Sequence, residues 1–193
     1  MTAQHILQVA LQLFSEKGYD ATTLADIATE IGIKKPSIYA HYPSKMHLFL
    51  VIVDAVKQDY RTCWLQALEK SASLPADVRL DAIFLWVSTY LINNREKLSF
   101  LVRLWLFPPA DCANDALLPF DELNVELTAE IAAIFEQGMD DGIFQSGLPE
   151  EMSHAYFCVL DGYLVRVIRY PELDYKKALS IIWKSFMLSP QQR

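Results

Sequence analysis

The sequence predicts an all-α protein in two parts: a group of three short helices over residues 1–47 and a larger helical region over 48–193. Three observations carry this reading. Apolar residues recur at the three-to-four-residue spacing of a buried helix face along almost the whole chain. Runs that alternate apolar and polar residues, the mark of a half-buried strand, are lacking. Glycines and prolines fall mostly between the periodic stretches, as at Gly18, Gly32, Pro43, Pro75, Pro108-Pro109, Pro119, Gly142 and Pro171.

The first helix carries Ile6, Leu7, Ala10, Leu11, Leu13 and Phe14 as its apolar side. Lys17 suits its last turn, and Gly18 stops it because glycine enters the left-handed region without steric cost. Thr23 is the expected N-cap of a second helix, with Asp26 three residues on completing an Asp version of the capping box. The turn Ile31-Gly32-Ile33 ends it. A third helix spans about Lys35 to His41, with Pro36 in its first turn, where a missing N–H has no helical partner to lose. Tyr42-Pro43 stops it, and Ser44 caps a long fourth helix reaching roughly Lys70 through Leu48, Phe49, Ile52, Val53, Val56 and Tyr60. Further helices are predicted at about 78–93, 96–107, 118–139, 150–169 and 174–188. The domain boundary falls near residue 47, inside the fourth helix, so a rigid element is shared by both parts.

At 193 residues and 22.1 kDa the chain can bury its own core without metals or disulfides. Its 52% apolar content contains no run near the 18 or so residues that span a bilayer. The longest candidate, Leu98 to Phe107, is broken by Arg103. The start, Met1-Thr2-Ala3-Gln4-His5, has no basic segment leading into an apolar one, so a cytoplasmic location with no membrane partner is expected. Cys63, Cys112 and Cys158 are odd in number and far apart, which fits reduced structural thiols better than a disulfide framework or zinc site; redox sensing stays open. His5, His41, His47 and His154 lack metal-ligand spacing, and no phosphate-binding loop or nucleophile elbow is present. No cofactor, no metal and no enzymatic activity are therefore expected.

A net charge of −7 argues superficially against nucleic acid, but its distribution does not. Residues 1–47 are neutral, four lysines balancing four acids, so the rest carries the whole excess. From Ile31 to Phe49 there are three lysines, two histidines and no acid. Two short helices joined by a glycine turn form a helix-turn-helix, although an ordinary helical hairpin has the same geometry. The third helix favours the former. Lys34 and Lys35 stand at its N-terminus, where the helix dipole disfavours cations unless phosphates or guanine edges approach. Ser37, Tyr39, Ala40 and His41 leave it too little apolar surface for a core element. Thr22, Thr23, Tyr39 and Lys45 read as phosphate-gripping groups. The candidate DNA-binding set is Thr22, Thr23, Lys34, Lys35, Pro36, Ser37, Tyr39, His41, Tyr42 and Lys45.

The stretch Ile6 to Leu50 resembles the DNA-binding domain of the TetR family of bacterial repressors. The resemblance is carried by Ile6-Leu7, Ala10, Leu13-Phe14, Gly18-Tyr19, Thr22-Thr23, Ile27-Ala28, Gly32-Ile33, Pro36-Ser37-Ile38-Tyr39, His41-Tyr42, Ser44-Lys45 and Leu48, in order and without a gap. Further along, Asp141-Gly142-Ile143-Phe144 and Leu160-Asp161-Gly162-Tyr163 are similar in style. The resemblance implies an all-helical homodimer whose third helices enter successive major grooves of a palindromic operator. It also implies an interface built from the last two long helices of each subunit, and a small molecule bound in the C-terminal domain that lowers operator affinity. Half-sites must then lie about 34–36 Å apart, or a multiple of it. Two features depart from the family pattern: Lys34 stands where serine or threonine usually caps the third helix, and no basic arm precedes the first.

The C-terminal region is rich in rings. Trp86, Tyr90, Phe100, Trp105, Phe107, Phe120, Phe135, Tyr156, Phe157 and Tyr163 read singly as core, and collectively they can line a cavity for an apolar or aromatic effector. The candidate ligand set is Trp86, Tyr90, Phe100, Arg103, Trp105, Phe135, Phe157 and Asp161, with Arg103 requiring an anionic partner if it is buried. For dimerisation, Ala155, Val159, Gly162 and Val167 are expected to pack with Leu179, Ile182, Trp183 and Phe186. The sequence therefore predicts a ligand-responsive DNA-binding regulator, most simply a repressor. A helical small-molecule-binding protein, or an interaction adaptor that has lost DNA affinity, remains as the alternative. Operator, effector and the choice between repression and activation are not legible.

Overall fold

The computed structural model describes residues 3–170 and residue 177, and among these there are eight helices and no strand. They are α1 (Ala3–Lys17), α2 (Leu24–Ile31), α3 (Lys35–Tyr39), α4 (Lys45–Ser71), α5 (Ala76–Asn93), α6 (Arg95–Leu106), α7 (Ala113–Asp140) and α8 (Pro149–Arg169). The helix expected at 174–188 lies outside the described residues. The described residues fall into two compact units, one comprising those up to Tyr60 together with Asn94–Glu122, the other Arg61–Asn93 and those from Leu123 on.

In the first unit, α1 buries the expected stripe of Ile6, Ala10, Leu13 and Phe14 and ends at Gly18, whose φ of +85° lets its amide turn back to the Phe14 carbonyl at 3.0 Å. The capping box of α2 is complete. The Thr23 hydroxyl accepts from the Asp26 amide at 3.1 Å, and the Asp26 carboxylate accepts from the Thr23 amide at 2.8 Å. Gly32, at φ +78°, closes the other end. α3 is five residues long, ending two earlier than the sequence predicts. Its last amides fold back instead, with His41 and Tyr42 both donating to the Ile38 carbonyl at 2.9 Å.

Rings knit this unit together. Phe49 of α4 lies 5.3 Å from Phe14, 4.8 Å from Tyr19 and 5.5 Å from Phe100 of α6, mostly edge-on or tilted, the arrangements aromatic quadrupoles favour. α6 packs along α1, and Arg103 secures the contact. Its Nε donates to the Ser15 carbonyl and its Nη2 to the Glu16 carbonyl, each at 2.7 Å. These are the orphan carbonyls at the C-terminal end of α1, where the dipole favours a cation. Lys97 adds an ion pair to Asp59 at 2.7 Å.

α7 begins at Ala113, five residues before the predicted start, and runs through Pro119. Proline removes one helical donor, but Cys112, Ala116 and Phe120 on either side of it are all buried on one stripe. Burial therefore outweighs the missing hydrogen bond.

In the second unit, α5 packs on α8. Phe84 meets Tyr156 edge-on at 5.8 Å, and the Tyr156 hydroxyl donates to the Leu80 carbonyl at 3.0 Å. Ser153 donates to the Thr128 carbonyl at 2.9 Å, tying α8 to α7. At the end of α7 the chain reverses so tightly that a Cβ on Gly138 would run into the Phe144 ring and stand 2.8 Å from the Ala76 side chain. Gly138→Ala is expected to lower stability by about 1–3 kcal/mol, the usual cost of forcing an extra carbon into a packed core. Thermal unfolding measures it, and an unchanged midpoint would show that Phe144 moves aside freely.

Candidate nucleic-acid interface and effector groove

Of the five residues of α3 only Ile38 is buried; Lys35, Pro36, Ser37 and Tyr39 are exposed. Lys34, Ala40 and His41 flank them and are exposed as well. The helix is thus pinned by one side chain and offers the rest outward. Lys34, its N-cap, makes no side-chain capping bond, so the departure noted in the sequence leaves the first amides of α3 without a side-chain acceptor. The Lys35 ammonium stands 5.7 Å from the centre of the Tyr39 ring.

The helix starts divide by charge. α2, α5, α6, α7 and α8 each carry an acid in the first turn, as the dipole favours. α1, α3 and α4 carry none, and the last two border the exposed surface. At α4 the Ser44 hydroxyl accepts from the His47 amide at 3.0 Å, but the third position that a capping box fills with Glu or Gln holds exposed His47. His47 belongs with this surface although the sequence reading left it out. The missing acid in Ser44-x-x-His47 is the signal that could have found it. His41, Tyr42 and His47 form a row of rings, with centroids 6.3 and 6.2 Å apart.

Three candidate contacts are turned inward. Thr22 is fully buried, and its hydroxyl donates to the Gly18 carbonyl at 2.8 Å, with the Leu13 carbonyl at 3.3 Å. It secures the end of α1 rather than facing a phosphate. Tyr42 is 6% exposed and its hydroxyl donates to the Ala3 carbonyl, so its ring supports the surface from beneath. Lys45 donates to the Tyr19 carbonyl at 2.9 Å with its ammonium 3.9 Å from the centre of the Tyr19 ring. It must leave that carbonyl to grip DNA. Thr23 remains exposed but is engaged in the cap, where its hydroxyl and amide hold the Asp26 carboxyl below the usual carboxylate range. The cap therefore contributes at neutral pH and is lost as pH falls through that range.

Residues 6–52 match the family of bacterial regulatory proteins of the tetR type. Over this N-terminal stretch the chain is similar to the TetR family. It is 28% identical over 134 residues to IcaR of Staphylococcus aureus, a negative transcriptional regulator of a biofilm operon, covering 68% of each chain. It is 29% identical over 160 residues to the transcriptional repressor KstR2 of Rhodococcus jostii, covering 78% of this chain and 72% of that one. The fold matches Bacillus subtilis FadR, solved with stearoyl-CoA, at a TM-score of 0.71 and 14% identity over 98% of this chain and 100% of that one. The matched curated proteins are transcriptional regulators. No described helix is long and apolar enough to cross a membrane.

The structure divides the candidate ligand residues. Trp86 and Tyr90 line a groove of about 480 Å³ in the second unit, with Gln66, Ala82, Leu85, Thr89 and Asn93. Lys70 lies over the Trp86 ring at 4.1 Å from its centre. Phe135 is fully buried against Phe144, and Phe157 packs between Trp64 and Tyr156. Phe100, Arg103 and Trp105 belong to the first unit, where Arg103 finds its negative partner in the backbone carbonyls of α1. Asp161 is exposed on α8, although the protein around it pushes its carboxyl up to about 6 by desolvation.

On α8 the expected dimer residues also part. Ala155 and Val159 are half-buried and Gly162 is exposed, and at helical spacing the three share one side of α8. Val167 is 2% exposed because it continues the inward stripe of Tyr156, Leu160, Tyr163 and Leu164. Leu179, Ile182, Trp183 and Phe186 lie outside the described residues. Cys63 and Cys112 are buried, and burial pushes the Cys63 thiol up to about 12; Cys158 is exposed. An alkylating reagent is therefore expected to label one thiol in the native protein and three after denaturation, counted by intact mass. Thr22→Val should lower thermal stability and leave the salt dependence of DNA binding unchanged, while Lys34→Ala should do the reverse. Equal effects of the two on DNA binding would show that Thr22 does reach the nucleic acid.

Proposed function

We propose that this chain is a ligand-responsive transcriptional repressor of the TetR family that grips a palindromic operator as a homodimer through α3. The carrying observation is α3 itself, a helix with one anchored residue and exposed lysine, serine and tyrosine side chains, set in a stretch free of acids. Lys34, Lys35, Ser37, Tyr39 and His41 supply base and phosphate contacts, with Thr23 and His47 at the flanking helix starts. The protein acts in the cytoplasm, as a non-enzymatic DNA-binding protein. The uncovered α8 side at Ala155, Val159 and Gly162 supplies the partner contact.

The α4–α5 groove is the effector site. Its walls are apolar and aromatic, and Gln66, Thr89 and Asn93 can fix a ligand's orientation, the mixture small-molecule sites favour. The stearoyl-CoA held by FadR supports an effector with a substantial apolar body.

Fluorescence anisotropy across a salt series, on DNA from just upstream of the gene, tests the reading. Binding should be saturable, should outcompete scrambled DNA, and should weaken log-linearly with salt. Replacing Lys34 and Lys35 by alanine should flatten the slope by about 0.9 for each phosphate that is no longer neutralised. If no sequence selected from a random DNA pool binds above background, α3 is not a reading helix and the adaptor alternative stands.

A further inference from the structure

A second cavity, in the first unit, is not accounted for by DNA binding or by the α4–α5 groove. It occupies about 220 Å³ between the end of α1, the turn that follows, Phe49 of α4, and α6 with its succeeding loop. We propose that this cleft binds a small aromatic carboxylate, its ring among Phe14, Phe49, Phe100 and Phe107 and its carboxylate on Arg103 and Lys17.

Size sets the first limit. The space equals that of about seven liquid waters and falls below the range of drug-sized sites, so one ring with a short polar group fits and an acyl-coenzyme does not. Chemistry sets the second. Four phenylalanines and Tyr19 contribute the apolar lining, whereas the charged groups are Lys17 and Arg103 against Asp20 alone. A neutral ring would leave Lys17 and the outer edge of Arg103 without an anion, and an inorganic anion would leave the rings without use.

Arg103 supplies the third argument. Of its five N–H donors, Nε and one on Nη2 hold the α1 carbonyls. Its Nη1 lies beside Gly18, only 3.7 Å from where a Cβ would stand, and glycine has no side chain to cover it. The guanidinium is thus already oriented by two bonds and offers an edge that matches a carboxylate. Phe107, 77% exposed, is free to close over a bound ring. Occupancy would join α6 to the turn that leads into α2, within the unit that carries the reading helix.

The test uses the full-length protein without DNA, so it succeeds or fails independently of the repressor reading. Calorimetric titration with benzoate should give saturable one-site binding per chain, with benzamide and acetate each at least tenfold weaker. Phe107→Ala and Lys17→Gln, both at exposed positions, should each weaken benzoate at least threefold without moving the melting temperature. Arg103→Gln should abolish the preference for benzoate over benzamide, and Trp86→Ala in the α4–α5 groove should leave the benzoate affinity as it is. Equal binding of benzoate and benzamide would overturn the proposal. So would absence of benzoate binding into the millimolar range, or loss on Trp86→Ala with Phe107→Ala silent.

Discussion

The first unit is organised around the ring of Phe49, which touches α1 through Phe14, the following turn through Tyr19 and α6 through Phe100. A ring that meets three others at its edges fixes angles as well as distances, and each such pair adds about 0.5–1.5 kcal/mol beyond simple burial. Arg103 complements it from the polar side by tying α6 to the last carbonyls of α1. α2 and α3 are too short to hold themselves, since isolated helices below about 12 residues are marginal in water. They are supported by the packing of longer neighbours.

Electrostatics are arranged at the level of helix ends rather than net charge. The chain is acidic as a whole, yet the two helices that bracket the exposed surface begin without a carboxylate. A screened distant charge counts for little beyond about 10 Å at ordinary salt, whereas an uncompensated helix start acts at contact range. An acidic regulator with a local cationic patch is therefore no contradiction.

Local signals were legible in the sequence because they are set by nearest neighbours. The Thr23–Asp26 capping box and Gly18 and Gly32 as helix stops all stand where the sequence places them. What could not be read required knowing which side of an element meets another. Thr22 and Thr23 are adjacent polar residues, yet one is fully buried and the other exposed. Arg103 reads as needing an acid and is instead satisfied by the backbone of a helix some 88 residues earlier. Pro119 reads as a break because proline costs a local hydrogen bond, and tertiary burial of Ala116 and Phe120 overrides it. The exposed polar face of α3 was largely visible. The ring-rich half was not, because a core phenylalanine and a ligand-lining one have the same spacing.

α3 separates what it is held by from what it shows. Ile38 alone among its five residues faces the interior, so exchange at the other positions leaves the packed core untouched. Surface substitutions of that kind usually shift stability by no more than about half a kcal/mol. The exposed face of such a helix can therefore be rewritten by mutation while the core behind it stays folded. One scaffold can diverge to present many different surfaces without passing through unstable ancestors.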